Sequence, residues 1–337
     1  MAQVFFVSKK DIRDAWLTTL TQVLYNGDDI KTEYDQPRDL PSKDASVLIE
    51  VKEPMSNPIK RNDKLLVIKT KYGNSFEVYG CIADTYLIGS IQSGYIEEIM
   101  EGVNDHYIWE SGSSFPYSYH DRIYNYTPFS LEDTIHVDYD LEIVDNNFVK
   151  KHQKLINAGK IQKGDDSTTW KLKNLVEFNV EKPLQDQIGI SKIPIGVVNF
   201  PKLNQIEYII QKLKEKPYSR RAQAITWRPL VDPFHIDPPC LQRIYMRIKE
   251  DKLIMQTTWR SRDLFRAWEA NVNGMIRIQK YVAEELGVEI GHYLDFSNSL
   301  HIYGNTISEV KDMLLRMQNK GEKFPQEAIE LLNKNRI

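Results

Sequence analysis

Apolar positions recur at two spacings along this chain, and the switches between them predict most of its elements. Ile12, Trp16, Leu20, Val23 and Leu24 lie three or four apart, which predicts an amphipathic helix over residues 9–25 with Ser8 as its cap and Asp11 in its first turn. Residues 46–51 alternate toward a strand, and 65–70 form a second strand candidate. The pattern over 85–101 is mixed to helical. Ile206, Ile209, Ile210 and Leu213 predict a helix over 204–215 that Pro217 stops, and 222–227 reads as a buried strand. A long helix is predicted over 264–286, with Gly287 in the position of a C′ glycine. Residues 289–303 read as one or two strands. Val310, Met313, Leu314 and Met317 predict a helix over 308–319 capped by Ser308, and a short helix over 325–334 follows.

Between 222–227 and the long helix lies a hairpin signal. Two β-favouring runs, 244–248 and 253–258, flank the polar turn 249–252. Folding them about Glu250 and Asp251 places Cys240 opposite Ser261 and beside Arg260. A thiol next to a guanidinium has a lowered pKa and more thiolate, the form that attacks carbon.

Composition narrows the class. With 337 residues, 41% hydrophobic and 27% charged, the chain reads as a soluble globular protein with a sizeable core. A net charge of −3 gives no general attraction to nucleic acid or to an anionic membrane, so any anion site is local. No apolar run approaches the ~20 residues of a membrane span. Residues 1–10 show neither a signal-peptide pattern nor an Arg-rich transit pattern. The two cysteines, Cys81 and Cys240, are far apart, which argues against a disulfide framework or thiolate metal site and suits a cytoplasmic protein; the seven histidines show no ligand spacing. Residues 107–127 are dense in aromatics, among them Tyr107, Trp109, Phe115, Tyr117, Tyr119, Tyr124 and Tyr126, a core or a stacking surface. From 129 to 200 charge is high and glycines interrupt short strand candidates, so this stretch reads as an insertion or subdomain within a single domain spanning 1–337.

An ordered set of short motifs then stands out: Pro217-Tyr-Ser-Arg-Arg221, Pro238-Pro-Cys240, Arg260-Ser-Arg-Asp263, Asn271 eight residues further on, and His301-Ile-Tyr303. In this order and spacing the set resembles the thymidylate synthase family, and its archaeal branch more than the common bacterial form. The resemblance extends more weakly over 8–60 and 92–126, and does not cover 129–200. It implies an α+β fold: a large mixed or antiparallel sheet packed by helices on one face, its other face forming a homodimer interface.

The resemblance also implies a chemistry. The family converts dUMP to dTMP with 5,10-methylenetetrahydrofolate as co-substrate and no metal, through a thiolate that adds to C6 of the pyrimidine and makes C5 nucleophilic. Cys240 matches that nucleophile. Arg260 and Ser261 match the phosphate-binding and thiol-orienting pair, and Arg220 and Arg221 match arginines that reach the phosphate from the partner subunit. Arg38 is a further candidate phosphate ligand. Asn271 matches the reader of the uracil edge, His301 and Tyr303 the pair at the 3′-hydroxyl, and Asp263 and Trp109 the groups that meet the pterin. The general acid or base is a glutamate ahead of Trp109: Glu98, with Glu97 and Glu101 as alternatives. The partners implied are dUMP, a reduced folate and a second copy of the chain, with no membrane or nucleic acid.

Leu241 and Trp259 depart from the bacterial pattern, which has histidine and glutamine there, and the chain runs past the point where members often end in a carboxylate tail. Two other functions stay open. A pyrimidine hydroxymethylase, acting on dUMP or dCMP, keeps the nucleophile but lets water quench the methylene. A silent nucleotide- or RNA-binding homologue keeps only the fold.

Overall fold

A computed structural model describes residues 3–56, 64–69, 75–79, 95–105, 108, 117–127, 134–137, 141–143, 157, 161–163, 170–172, 175–179, 192–196, 202–229, 231–234 and 237–335. The chain divides into two compact units. The first comprises Met1–Asn125, Asn204–Trp227 and Pro239–Ile337, and the second Tyr126–Leu203 with Arg228–Pro238.

The first unit is built on one mixed sheet. Its strands in chain order are β1 (Val4–Lys9), β2 (Asp28–Ile30), β3 (Ser42–Val51), β4 (Gln223–Ile225), β5 (Leu241–Lys249), β6 (Lys252–Trp259), β7 (Arg262–Asp263) and β8 (Glu289–Ile302). The spatial order is β1-β3-β8-β6-β5-β4, with β2 pairing β3 and β7 pairing β8. The β1/β3, β6/β8 and β7/β8 pairs are parallel and the others antiparallel. Seven helices are described: α1 (Ile12–Asn26), α2 (Tyr95–Glu101), α3 (Tyr119–Tyr124), α4 (Gln205–Glu215), α5 (Trp268–Leu286), α6 (Ile307–Asn319) and α7 (Gln326–Lys334). Outside the large sheet, Lys64–Lys69 pairs antiparallel with Ser75–Tyr79.

The predicted elements recur with four shifts. The stretch 222–227, read as a buried strand, is the short edge strand β4, in which only Ala224 is buried and Ile225 is 39% exposed. Ser8 does not cap α1: residues 4–9 join the sheet, the Ser8 hydroxyl binds Glu50 at 2.5 Å, and Asp11 is the cap, accepting from the Asp14 amide at 2.9 Å. The long helix starts at Trp268, not 264, because Arg262 and Asp263 pair with Leu300 and His301 and the Asp263 carboxylate accepts the Phe265 and Arg266 amides in a local turn. Ser308 lies inside α6, whose N-cap is Thr306. Gly287 does end α5, with a left-handed φ of 67°.

The core follows the periodicity. The α1 stripe is fully buried, and the Trp16 indole donates to the Leu264 carbonyl at 2.9 Å, tying the first helix to the segment that leads into α5. Beneath the sheet-to-helix crossing lies a buried polar cluster. Arg262 pairs with Asp295, its guanidinium 4.1 Å from the Trp259 ring centre, and Asp295 also accepts from Tyr293 at 2.8 Å and Thr257 at 3.2 Å. On the sheet's outward face, register aligns Phe6, Leu48 and Phe296 in one row. Phe6 is 64% exposed and Leu48 38%, an apolar face left open on an isolated chain.

The second unit carries two three-stranded antiparallel sheets, one from Thr134–Val137, Leu175–Asn179 and Lys192–Gly196, the other from Leu141–Ile143, Ile161–Lys163 and Trp170–Leu172. Tyr126 and Leu203 pair at its base. The stretch read as an insertion lies within this unit.

Candidate active site

The hairpin forms at the expected turn. Glu250 and Asp251 both take positive φ, 52° and 56°, the two-residue primed turn that matches strand twist. Register runs as expected from Ile248↔Leu253 to Arg243↔Thr258, then shifts, because Leu241 pairs with Trp259 and Gln242 is left as an extra residue. The bulge corrects the placement of the thiol. Cys240 stands across from Arg260 rather than Ser261, and the Arg260 amide donates to the Cys240 carbonyl at 2.9 Å. The Arg260 Nε donates to the Pro239 carbonyl at 3.1 Å, which holds the guanidinium stem beside the cysteine segment. Cys240 is half-buried against the core and forms no disulfide among the described residues. Ser261 follows, half-buried.

The short strand β7 brings the next residues together. Asp263 pairs with His301, and the Leu264 amide donates to the His301 carbonyl at 2.8 Å. Both amide donors to Asp263 reach the same oxygen, Oδ1, and burial pushes this carboxyl's pKa up. His301 is 5% exposed, and its Nε2 has no partner among the described residues. Burial lowers its pKa against the pull of Asp263 and Asp44, so the ring is neutral near pH 7. The Tyr303 ring packs edge-on to His301 at 4.6 Å.

Loop 31–41 closes over this end. Asp35 holds it, accepting from the Thr32 amide at 2.6 Å and the Ser42 hydroxyl at 2.9 Å. Tyr34 meets Tyr303 edge-on at 6.2 Å. The approach needs Gly304: a Cβ there would lie 1.6 Å from the Leu40 carbonyl oxygen. Arg38 is exposed on this loop.

Asn271, in the first turns of α5, is buried and donates through Nδ2 to the Tyr95 hydroxyl at 2.8 Å. Gly274 permits the contact, because a Cβ would sit 2.9 Å from the Tyr95 ring. Glu98 lies one turn beyond Tyr95 on α2, half-buried, accepting from Asn104 at 3.1 Å; burial raises its pKa, with the Asp105 charge adding to the effect. Glu101 is exposed, and the Glu97 side chain and Trp109 lie outside the described residues, as do Tyr107 and Phe115. Arg220 and Arg221 are exposed just past α4, beside Tyr218, which is 82% exposed; within one chain the structure does not bring them to Cys240.

Two residues escaped the sequence reading. The Tyr119 hydroxyl accepts the Leu241 amide at 3.3 Å, next to the cysteine, and its ring meets Trp259 edge-on at 5.8 Å. Burial raises its pKa, and Cys240 and Tyr95 both lie close enough to raise it further. Tyr119 thus links the thiol side of the cleft to the Tyr95–Asn271 side. Tyr119 belonged to the aromatic run and could have been flagged there; Tyr95 carried no signal beyond sharing a helical face with Glu98.

The arrangement is that of an α+β protein built on a mixed sheet, with Cys240 across from Arg260 at the end of the hairpin, a neutral histidine on the long strand and a buried asparagine on the long helix. It belongs to the thymidylate synthase family, whose profile matches residues 154–336, more than half of the chain. A Methanosarcina mazei protein provisionally named thymidylate synthase is 40% identical over 113 residues, 34% of this chain and 52% of that one. A Methanocaldococcus jannaschii protein with the same provisional name is 40% identical over 107 residues, covering 30% and 48%. The thymidylate synthase of Listeria monocytogenes is 30% identical over 118 residues, 35% and 38%. The chain spans about half the length of the archaeal relatives it matches. Among the described residues no helix is long and apolar enough to cross a membrane, and no group of three acidic, histidine or cysteine side chains could hold a metal.

Proposed function

We propose that the protein is a thymidylate synthase, converting dUMP to dTMP. The observation that carries this is the placement of Cys240 across from Arg260 in the unit that holds Asn271 and His301. In this reading the Cys240 thiolate adds to C6 of the pyrimidine and Ser261 orients it. Arg260 and Arg38 bind the phosphate, joined by Arg220 and Arg221 of the partner subunit, whose exposure in one chain suits donation to another. The exposed row Phe6–Leu48–Phe296 is the face on which the two copies meet.

Asn271 Oδ1 accepts from N3–H, and the second hydrogen on Nδ2 serves O4. The His301 Nε2 accepts from the 3′-hydroxyl, because the ring's other nitrogen is engaged at the Ser299 backbone; Tyr303 flanks it. Glu98, held closer to neutrality by burial, exchanges the proton at O4 through water. When bound, 5,10-methylenetetrahydrofolate supplies the one-carbon unit and the hydride. Asp263 fits a pterin: its Oδ2 has no hydrogen-bond partner among the described residues and suits the ring's N–H groups.

Incubation with dUMP and methylenetetrahydrofolate tests this. Absorbance at 340 nm should rise as dihydrofolate forms, with dTMP identified by mass. Hydroxymethyl-dUMP without the rise would make the protein a hydroxymethylase, and binding without product would leave a silent homologue.

A further inference from the structure

We infer that the Tyr95 hydroxyl is a second hydrogen-bond donor to the C4 oxygen of the bound pyrimidine, acting beside Asn271 to stabilise the enolate formed when Cys240 adds. The inference rests on the reading of the site given above. Three observations support it. First, the Tyr95 oxygen accepts from Asn271 Nδ2 at 2.8 Å, and no described residue accepts the hydroxyl's own hydrogen. Tyr95 is half-buried against a buried Asn271, and once a ligand displaces water there an unmatched donor is costly, so the hydroxyl suits a ligand acceptor. Second, the chain is built to bring these two groups together: Gly274 clears the space beside the Tyr95 ring, in a helix interior where glycine is less favourable than alanine. Third, the surroundings keep the phenol protonated. Burial and the neighbouring Glu98 charge both disfavour the phenolate, so Tyr95 is a donor rather than a base.

Two donors 2.8 Å apart can converge on one oxygen, the geometry by which enzymes stabilise developing negative charge. In the step concerned, the Sγ–C6 bond forms and the C5–C6 π bond breaks. Its electron pair is delocalised onto the C4 oxygen, where the Asn271 N–H and Tyr95 O–H meet it. Nothing is oxidised or reduced, and expulsion of the thiolate later restores the double bond. Glu98, one turn away, then exchanges protons near this oxygen without being its first contact.

The test compares wild type with Tyr95→Phe in single-turnover reactions with saturating dUMP and methylenetetrahydrofolate, alongside calorimetric dUMP binding. The expected result is a rate lower by about 10²–10³-fold with dUMP affinity changed by less than about threefold, because the donor acts on charge absent from the ground state. A rate within about threefold of wild type, or an affinity that falls in step with the rate, overturns the assignment. Should Tyr95→Phe not fold, 3-fluorotyrosine at position 95 keeps the shape and makes a stronger donor. The infrared C4–oxygen stretch of ¹³C-labelled dUMP should then move to lower frequency than in wild type, and an unmoved band overturns the assignment. Wild type without any turnover would instead sink the synthase reading itself, a result the wild-type arm separates from failure of Tyr95 alone.

Discussion

Two aspartates in the same unit, Asp295 buried and Asp263 half-buried, are treated differently. Asp295, in the middle of β8, is saturated: Arg262 pairs with it, and Tyr293, Thr257, Trp268 and Ser297 all lie within hydrogen-bonding reach. Asp263, on the neighbouring short strand, engages one oxygen with two amides and leaves the other open, beside a histidine whose Nε2 has no partner. Buried polar groups are ordinarily satisfied. The saturated Asp295 carboxylate, held by an arginine that also stacks on Trp259, therefore reads as structure, and the open Asp263 oxygen beside His301 as a place kept for a ligand. The Tyr95 hydroxyl, with its hydrogen unclaimed, falls in the second class.

The largest effect is expected where function and stability separate most sharply. Cys240→Ser should lower dTMP formation by more than about a thousandfold, since the weaker nucleophile removes the covalent step. The fold should persist, because Cys240 is only half-buried. Circular dichroism and dUMP binding alongside the assay check this, and appreciable residual turnover would remove the cysteine from the mechanism. At the opposite pole, Asp295→Asn should destabilise the fold by about 3–5 kcal/mol, because it leaves the Arg262 charge buried without its partner. Urea unfolding measures that cost. A loss under about 1 kcal/mol would mean that Asp295 is no more structural than Asp263.

A smaller change tests the reader of the base. Asn271→Asp should move preference from dUMP toward dCMP by about tenfold or more, because a carboxylate accepts from the 4-amino group where the amide donates to O4. Competition between the two nucleotides gives the ratio directly. An unchanged ratio would detach Asn271 from base recognition and weaken the argument that brings Tyr95 to the same oxygen.

Much of the local framework was legible in the sequence, and the failures share a cause. The hairpin, α4, α5's glycine stop and the last two helices follow from periodicity and turn residues within a few positions of each other. The bulge at Gln242 carried no such signal, and an even register count put the cysteine one residue out. Residues 4–9 could be recognised as a strand only through their pairing with 46–51, some forty positions away. The motif set placed Cys240, Arg260, Asp263, Asn271 and His301 in one family order, yet the contacts that tune them join distant parts of the chain: Tyr95 to Asn271 across 176 positions, Tyr119 to Leu241 across 122. The Arg262–Asp295 pair was invisible for the same reason.

The smallest expected effect concerns acid stability. His301's pKa is lowered in the fold, chiefly by burial. Above its unfolded value of about 6.5 both states are neutral and the residue contributes no pH dependence. As pH falls below that value, the unfolded chain takes up a proton that the native chain refuses, so stability declines until the folded ring also protonates. The raised carboxyls Glu98, Asp44 and Asp263 act in the other sense, since the native state holds their protons more tightly and gains stability as pH falls through their folded values. Substituting the histidine isolates its share. His301→Gln should unfold at a urea midpoint that falls less than wild type's between pH 7 and pH 5, because the carboxyl contributions are common to both. Parallel curves would show that the ring is not held neutral by burial, and its Nε2 would no longer stand as an acceptor reserved for a hydroxyl.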